Sequence, residues 1–135
     1  MTTLAALEKG YEFPLASFDL SEEWVDAYVA SVEDEAIAAL DGGFVPPLAL
    51  AALAIRALLE HSSLPPGTLH AGQELAFAAT VRPGEALTVA ARIASRGERA
   101  GWILMGVELR VARDGAAVMT GRATLSFPVA AGAAV

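Results

Sequence analysis

Two consecutive prolines, Pro46-Pro47, open the stretch that most limits what this chain can fold into. From Leu48 to Leu59 every residue except Arg56 is apolar, and helix formers fill the run. Proline suits the first turn of a helix, where the amide it lacks would have had no partner. The run is shorter than the ~20 apolar residues that a membrane span requires. It is therefore a helix of a folded core. Its polar and apolar residues do not separate into faces, which predicts burial on nearly all sides. His61-Ser62-Ser63-Leu64-Pro65-Pro66-Gly67 ends the helix and turns the chain.

Four strand signals follow. The first is Glu74–Val81, closed by the turn Arg82-Pro83-Gly84-Glu85. In Ala86–Ser95, Leu87, Val89, Ala91 and Ile93 alternate with Thr88 and Arg92. Trp102–Ala112 sets Ile103, Met105, Val107, Leu109 and Val111 against Glu108 and Arg110. Asp114-Gly115 then makes a hairpin turn into Ala117–Phe127, whose Thr120, Arg122, Thr124 and Ser126 take the polar face. Period-two alternation at near-regular spacing predicts an antiparallel meander with one packed face. A buried helix followed by such a sheet is an α+β pattern, and the sheet wraps the helix in a hot-dog arrangement. Alternating βα units, which a TIM barrel or Rossmann domain needs, are absent.

Ahead of the helix the pattern is weaker. Tyr11–Phe18 reads as an edge strand or extended arm. Ser21 caps a short helix over roughly 21–31, with Glu22 and Glu23 in its first turn and Trp24, Val25 and Tyr28 at helical spacing. The acidic stretch from Glu33 to Gly43 reads as a loop with at most one more helical turn.

At 135 residues the chain has the size of one domain, expected to span 1–135. With 55% hydrophobic and 19% charged residues it is not globally disordered. The chain has no cysteine, which removes disulfides, thiolate nucleophiles and cysteine metal sites. Its two histidines stand nine residues apart on different elements, outside the usual zinc spacings, and no metal or cofactor is expected. Phosphate-binding glycine motifs and a Gly-x-Ser-x-Gly elbow are missing as well. Net charge is −7, with ten acids in residues 1–45 against Lys9 alone. That balance disfavours nucleic acid and reads first as a solvated face, second as a docking surface for a basic partner. No basic segment precedes an apolar block at the N-terminus, so no signal peptide is read and a cytoplasmic, membrane-free location is expected.

Several segments together resemble a family. Gly10-Tyr11-Glu12, Phe18-Asp19-Leu20-Ser21 and Tyr28 resemble the opening of MaoC-like acyl-thioester hydratases and dehydratases. Val45-Pro46-Pro47 before the apolar helix continues the likeness, as does Leu69-His70-Ala71-Gly72-Gln73-Glu74-Leu75-Ala76-Phe77. Val81-Arg82-Pro83-Gly84-Glu85-Ala86-Leu87 matches that group's turn. The resemblance covers about residues 10–128. It is strongest toward the non-catalytic, N-terminal-type halves and subunits of dehydratase heterodimers. It implies a hot-dog fold and reversible hydration of a 2,3-enoyl thioester, which needs a base for water, an acid for the α-carbon and a donor at the thioester carbonyl. Catalytic members carry Asp and His in a D-x-N-x-x-H motif just before the buried helix. Here the interval from Tyr28 to Gly43 has Glu33, Asp34, Glu35 and Asp41 but no histidine, and the whole sequence lacks asparagine.

The resemblance implies that the helix N-terminus, through the free N–H groups of Leu48 and Ala49, faces the thioester carbonyl. It also places His70, Gly72 and Gln73 at the mouth of the acyl tunnel. A structural role for His70 in a turn or interface stands beside this. A third reading makes His70 a substitute acid–base with Glu35 or Asp34. His61 is a solvated helix end, and Trp24 and Trp102 are core or interface anchors. The expected function is binding of an acyl-CoA or acyl-carrier-protein thioester as the non-catalytic member of a dehydratase pair. The chain would then form a hot-dog homodimer, or a heterodimer with a catalytic subunit. The alternatives are a stand-alone hydratase with an unusual pair, a thioesterase using Glu35 or Asp41 as base, and a pure binding or assembly module.

Overall fold

A computed structural model describes residues 2–21, 23, 24, 27, 45 and 47–129. Strands β1 (Thr2–Thr3) and β2 (Ala16–Asp19) precede helix α1 (Pro47–His61). Strands β3 (Ser62–Ser63), β4 (Leu69–Phe77), β5 (Ala86–Arg99), β6 (Trp102–Arg113) and β7 (Ala116–Pro128) follow it. The main sheet has the order β2-β5-β6-β7-β4, with every neighbour antiparallel.

Only β5, β6 and β7 form the expected meander. β4 crosses over to pair with β7 rather than with β5, so it becomes an edge strand. It also starts at Leu69 and stops at Phe77, not at Glu74 and Val81. The start is set by the turn after Pro65, where the Thr68 amide and hydroxyl both donate to the Pro65 carbonyl. At the other end Phe77 pairs with Met119, and the Ala78 amide makes one last bond to the Val118 carbonyl before the strand stops. β5 runs past Ser95 to Arg99, because Ala100 (φ 51°) and Gly101 (φ 83°) make a two-residue turn like that of Asp114 (φ 52°) and Gly115 (φ 80°). Paired positive φ values match the twist of the joined strands.

The inner face of the sheet carries the alternation read from sequence. Leu87, Val89, Ala91 and Ile93 of β5, Ile103, Met105, Val107, Leu109 and Val111 of β6, and Met119, Ala123, Leu125 and Phe127 of β7 are all buried. Helix α1 lies against this face through Ala49, Leu50, Leu53, Ala54, Ala57 and Leu58. These follow i, i+3, i+4 spacing, with alanines letting the backbones approach. The opposite side is open: Leu48 is 63% and Leu59 38% exposed. Burial on nearly all sides is thus corrected to burial on one side, since one sheet covers one face of a helix. Arg56 stands on the open side and pairs with Glu60 at 3.6 Å.

The N-terminal arm seals one end of this core. β1 pairs in parallel with β3, directly after the helix, and Leu4, Ala5 and Leu7 are buried. Arg96 of β5 donates to the Ala5 carbonyl, and the arm pairs with β5 at Glu12–Arg92 before β2 joins as the edge strand. Ser21 caps the following turn as expected, its hydroxyl accepting the Trp24 amide at 3.1 Å; Glu23, Trp24 and Ala27 are helical. No described helix is long and apolar enough to cross a membrane.

At the other end, the turn from Val81 to Glu85 is a junction. Glu85 accepts the Arg82 amide at 2.8 Å and pairs with Arg113 at 2.8 Å, while Arg113 also donates to the Thr80 carbonyl. The Gly84 amide, at a positive φ of 86°, donates to the Leu20 carbonyl. Val45 donates to the Val81 carbonyl at 2.7 Å, so the residue two before α1 is fixed to this turn. The Arg82 amide, with help from Arg113, holds the Glu85 carboxyl below its ordinary range.

A depressed folded pKa contributes stability that is present above the ordinary carboxylate value and fades as pH falls through the folded one. Glu85→Gln should therefore lower the denaturation midpoint at neutral pH, and its deficit should shrink in acid; a pH series of urea melts reads both. A second contrast tests packing. A Cβ on Gly121 would sit 2.9 Å from the Glu74 carbonyl oxygen, whereas one on Gly106 would meet only the ends of Arg122 and Ser95. Gly121→Ala should cost about 1–3 kcal/mol and Gly106→Ala about 1 kcal/mol or less in the same melts.

Candidate functional site

Register decides which β4 side chains face the helix side. Leu75 pairs with Gly121, Gln73 with Ala123 and Phe77 with Met119, all on the inner face. His70 would fall on the outer face by simple alternation. A bulge at Ala71, between His70 and Gly72, shifts the count by one, so His70 pairs with buried Leu125 on the inner face. Gly72 is left on the outer face, where a Cβ would touch Thr124 at 3.8 Å.

The helix packs over β5, β6 and β7, so the inner face of β4 overhangs it. His70 and Gln73 are exposed, Leu75 is half-buried, and Phe77 is 40% exposed. The overhang is an apolar shelf with an imidazole and an amide at one end. Leu75 and Phe77 were not singled out in the sequence, although their period-two spacing with Gln73 is a visible signal.

The helix start is the second element. Leu48 is exposed and Ala49 is fully buried, and no acidic side chain occupies the first turn. The helix dipole there is unopposed by a carboxylate of its own, which suits an oxygen bearing partial negative charge. The junction at Val81 holds this end in place.

These two elements lie at opposite ends of the sheet. Val45 and the helix start sit by Val81, beside the Arg113 end of β6. The helix end leads into β3 and the arm, at the level of Arg96, Met105, Leu125 and His70. Along β4, His70 and Phe77 are about 20 Å apart at ~3.3 Å per residue. Within one chain, Leu48 and Ala49 are therefore not brought together with His70, Gly72 and Gln73. Asp34, Glu35 and Asp41 lie outside the described residues. His61 is exposed at the end of α1, Trp24 packs partly into the core, and Trp102 is 41% exposed. Among the described residues no group of three or more His, Asp or Glu is placed to hold a metal ion.

The comparisons agree with this architecture. The (R)-hydratase from A. caviae involved in PHA biosynthesis superimposes with a TM-score of 0.75 at 24% identity, over 91% of this chain and 98% of that one. The MaoC-like dehydratase from Rhodospirillum rubrum gives 0.72 at 19% identity, over 95% and 97%. The HadBC (3R-hydroxyacyl-ACP dehydratase) complex from Mycobacterium tuberculosis gives 0.71 at 21% identity, over 92% and 100%. These likenesses establish the hot-dog fold. No curated protein matches the chain in sequence. A family model described as FAS1-like, dehydratase domain region matches residues 10–121, most of the sheet and all of α1 included, and the chain belongs to that family.

Proposed function

We propose that this chain binds an acyl thioester, carried on coenzyme A or an acyl carrier protein, as the non-catalytic member of a dehydratase pair. The observation that carries the reading is chemical. Hydration needs a positioned acid and base, and the segment where the family places Asp and His has no histidine here and the chain no asparagine. What remains is binding apparatus: the unopposed start of α1 and the shelf of His70, Gln73, Leu75 and Phe77.

Pairing explains how separated halves serve one ligand. β4 has a free edge, and exposed edges invite a further strand. An antiparallel partner strand centred on Gln73 sets its residue equivalent to His70 abreast of Ala76, toward the helix start of this chain. Each thioester then lies between the helix start of one subunit and the β4 entry of the other. The partner is a second copy or, in the favoured form, a hot-dog subunit with intact Asp and His. The solved HadBC structure, itself a complex, is consistent with the latter arrangement.

The test is turnover of a crotonyl-type thioester by the purified chain, alone and mixed with a hot-dog subunit that carries the D-x-N-x-x-H motif. Missing acid–base groups typically cost ~10²–10⁴-fold each, so the chain alone should fall at least ~10²-fold below the mixture. His70→Ala should weaken thioester binding or pairing while the thermal transition survives. Ordinary enzymatic rates from the homomer, abolished by His70→Ala or Glu35→Gln, would replace this reading with a stand-alone hydratase.

A further inference from the structure

The outer face of the sheet, turned away from α1, carries its side chains in rows. Pairing aligns Arg92, Glu108, Arg122 and Glu74 across β5, β6, β7 and β4, four charges of alternating sign. Glu12 of the arm extends the row beside Arg92. Arg92 and Glu108 pair at 2.6 Å. Arg122 instead leans across Gly106 to the Ser95 hydroxyl at 2.7 Å, and Glu74 forms no ion pair among the described residues.

The other rows mix large and small residues. Gly97, Leu104, Ser126 and Leu69 form one row, and Trp102 stands beside Pro128 in the next. Leu69 is 58%, Leu104 54% and Trp102 41% exposed, all three on the outer face. Apolar exposure grouped on one face is what an interaction surface presents. Gly97 has open space where a Cβ would be.

These rows are complementary to themselves. A two-fold axis running along the strands between β6 and β7 exchanges β6 with β7 and β5 with β4. Under it Glu108 of one copy meets Arg122 of the other, and Arg92 meets Glu74. In the apolar rows Leu69 falls over Gly97 and Trp102 over Pro128. Opposite charges meet, and large side chains meet small ones. An axis moved by half a strand spacing, onto β6 or β7, would instead bring like charges face to face. We propose that this outer face is an interface with a second copy of the chain, sheet against sheet, separate from the β4 edge and the thioester site. Face-to-face sheets pack about 10 Å apart at roughly 30°, which keeps the rows nearest the axis in register.

Sedimentation velocity between about 1 and about 100 µM, the range that reveals micromolar association, tests this. Leu104→Glu and Glu108→Arg should each halve the mass of the wild-type assembly. Glu108→Arg combined with Arg122→Glu should restore it, because the swap reinstates opposite charges across the interface, although both variants lose the Arg92–Glu108 pair within the sheet. Circular dichroism melts verify that each variant folds, as expected for outward positions. A wild type that stays monomeric overturns the proposal. So does an assembly of any size left unchanged by Leu104→Glu, in which case pairing at the β4 edge is untouched. Failure of the double variant to regain the wild-type mass also overturns it. A wild-type dimer that Leu104→Glu converts to monomer upholds this interface and removes the β4 pairing instead.

Discussion

The contact between one face of α1 and the inner surface of β5, β6 and β7 is what the rest of the structure depends on. Ala49, Ala54 and Ala57 bring the helix close to the sheet, and Leu50, Leu53 and Leu58 share one buried core with Val89, Met105, Val107 and Phe127. Because interiors are packed like crystals, that fit fixes the helix over the middle of the sheet rather than its edge. β4 is displaced to the margin as a result. The uncovered shelf and the free strand edge both follow from where the helix sits.

A second constraint fixes the helix lengthwise. The turn from Val81 to Glu85 gathers Leu20, Val45, Thr80 and Arg113 with backbone and charge-assisted bonds. Four separate stretches of chain converge there, which gives the helix start a fixed address relative to the sheet. Binding groups held by rigid elements are more exact than those carried on loops. The helix start belongs to the rigid class.

Much of this was legible in the residues. The alternation in β5, β6 and β7 named the inner face correctly, the Asp114-Gly115 turn was plain, and the apolar helix together with the sheet pointed to the hot-dog fold. Three features were not legible, each for a physical reason. Pairing partners are set by tertiary packing, so nothing local says that β4 joins β7. The face of a helix rich in alanine carries little polarity contrast, so its exposed side at Leu48 and Leu59 was hidden. A bulge leaves no compositional mark, so the inward turn of His70 had to come from register. Among candidate site residues, Leu48, Ala49, His70, Gly72 and Gln73 can be placed, and the loop carboxylates Asp34, Glu35 and Asp41 lie outside the described residues. The Glu85–Arg113 pair was half visible: Glu85 belonged to a recognised turn, but nothing marked Arg113, which is 28 residues away.

The arm that closes the core has a consequence for the order in which the chain assembles. Thr2 and Thr3 pair with Ser62 and Ser63, and Ala5 is held by Arg96, a partner 91 positions later. Residues synthesised early are thus among the last to find their place. Leu4 and Leu7 must wait, unsatisfied, until the helix has turned and most of β5 has emerged. Contacts this distant in sequence slow folding and leave apolar side chains bare in the meantime. The nascent chain carries its closing stitch ahead of the core it closes, and until β5 is made that stitch is loose.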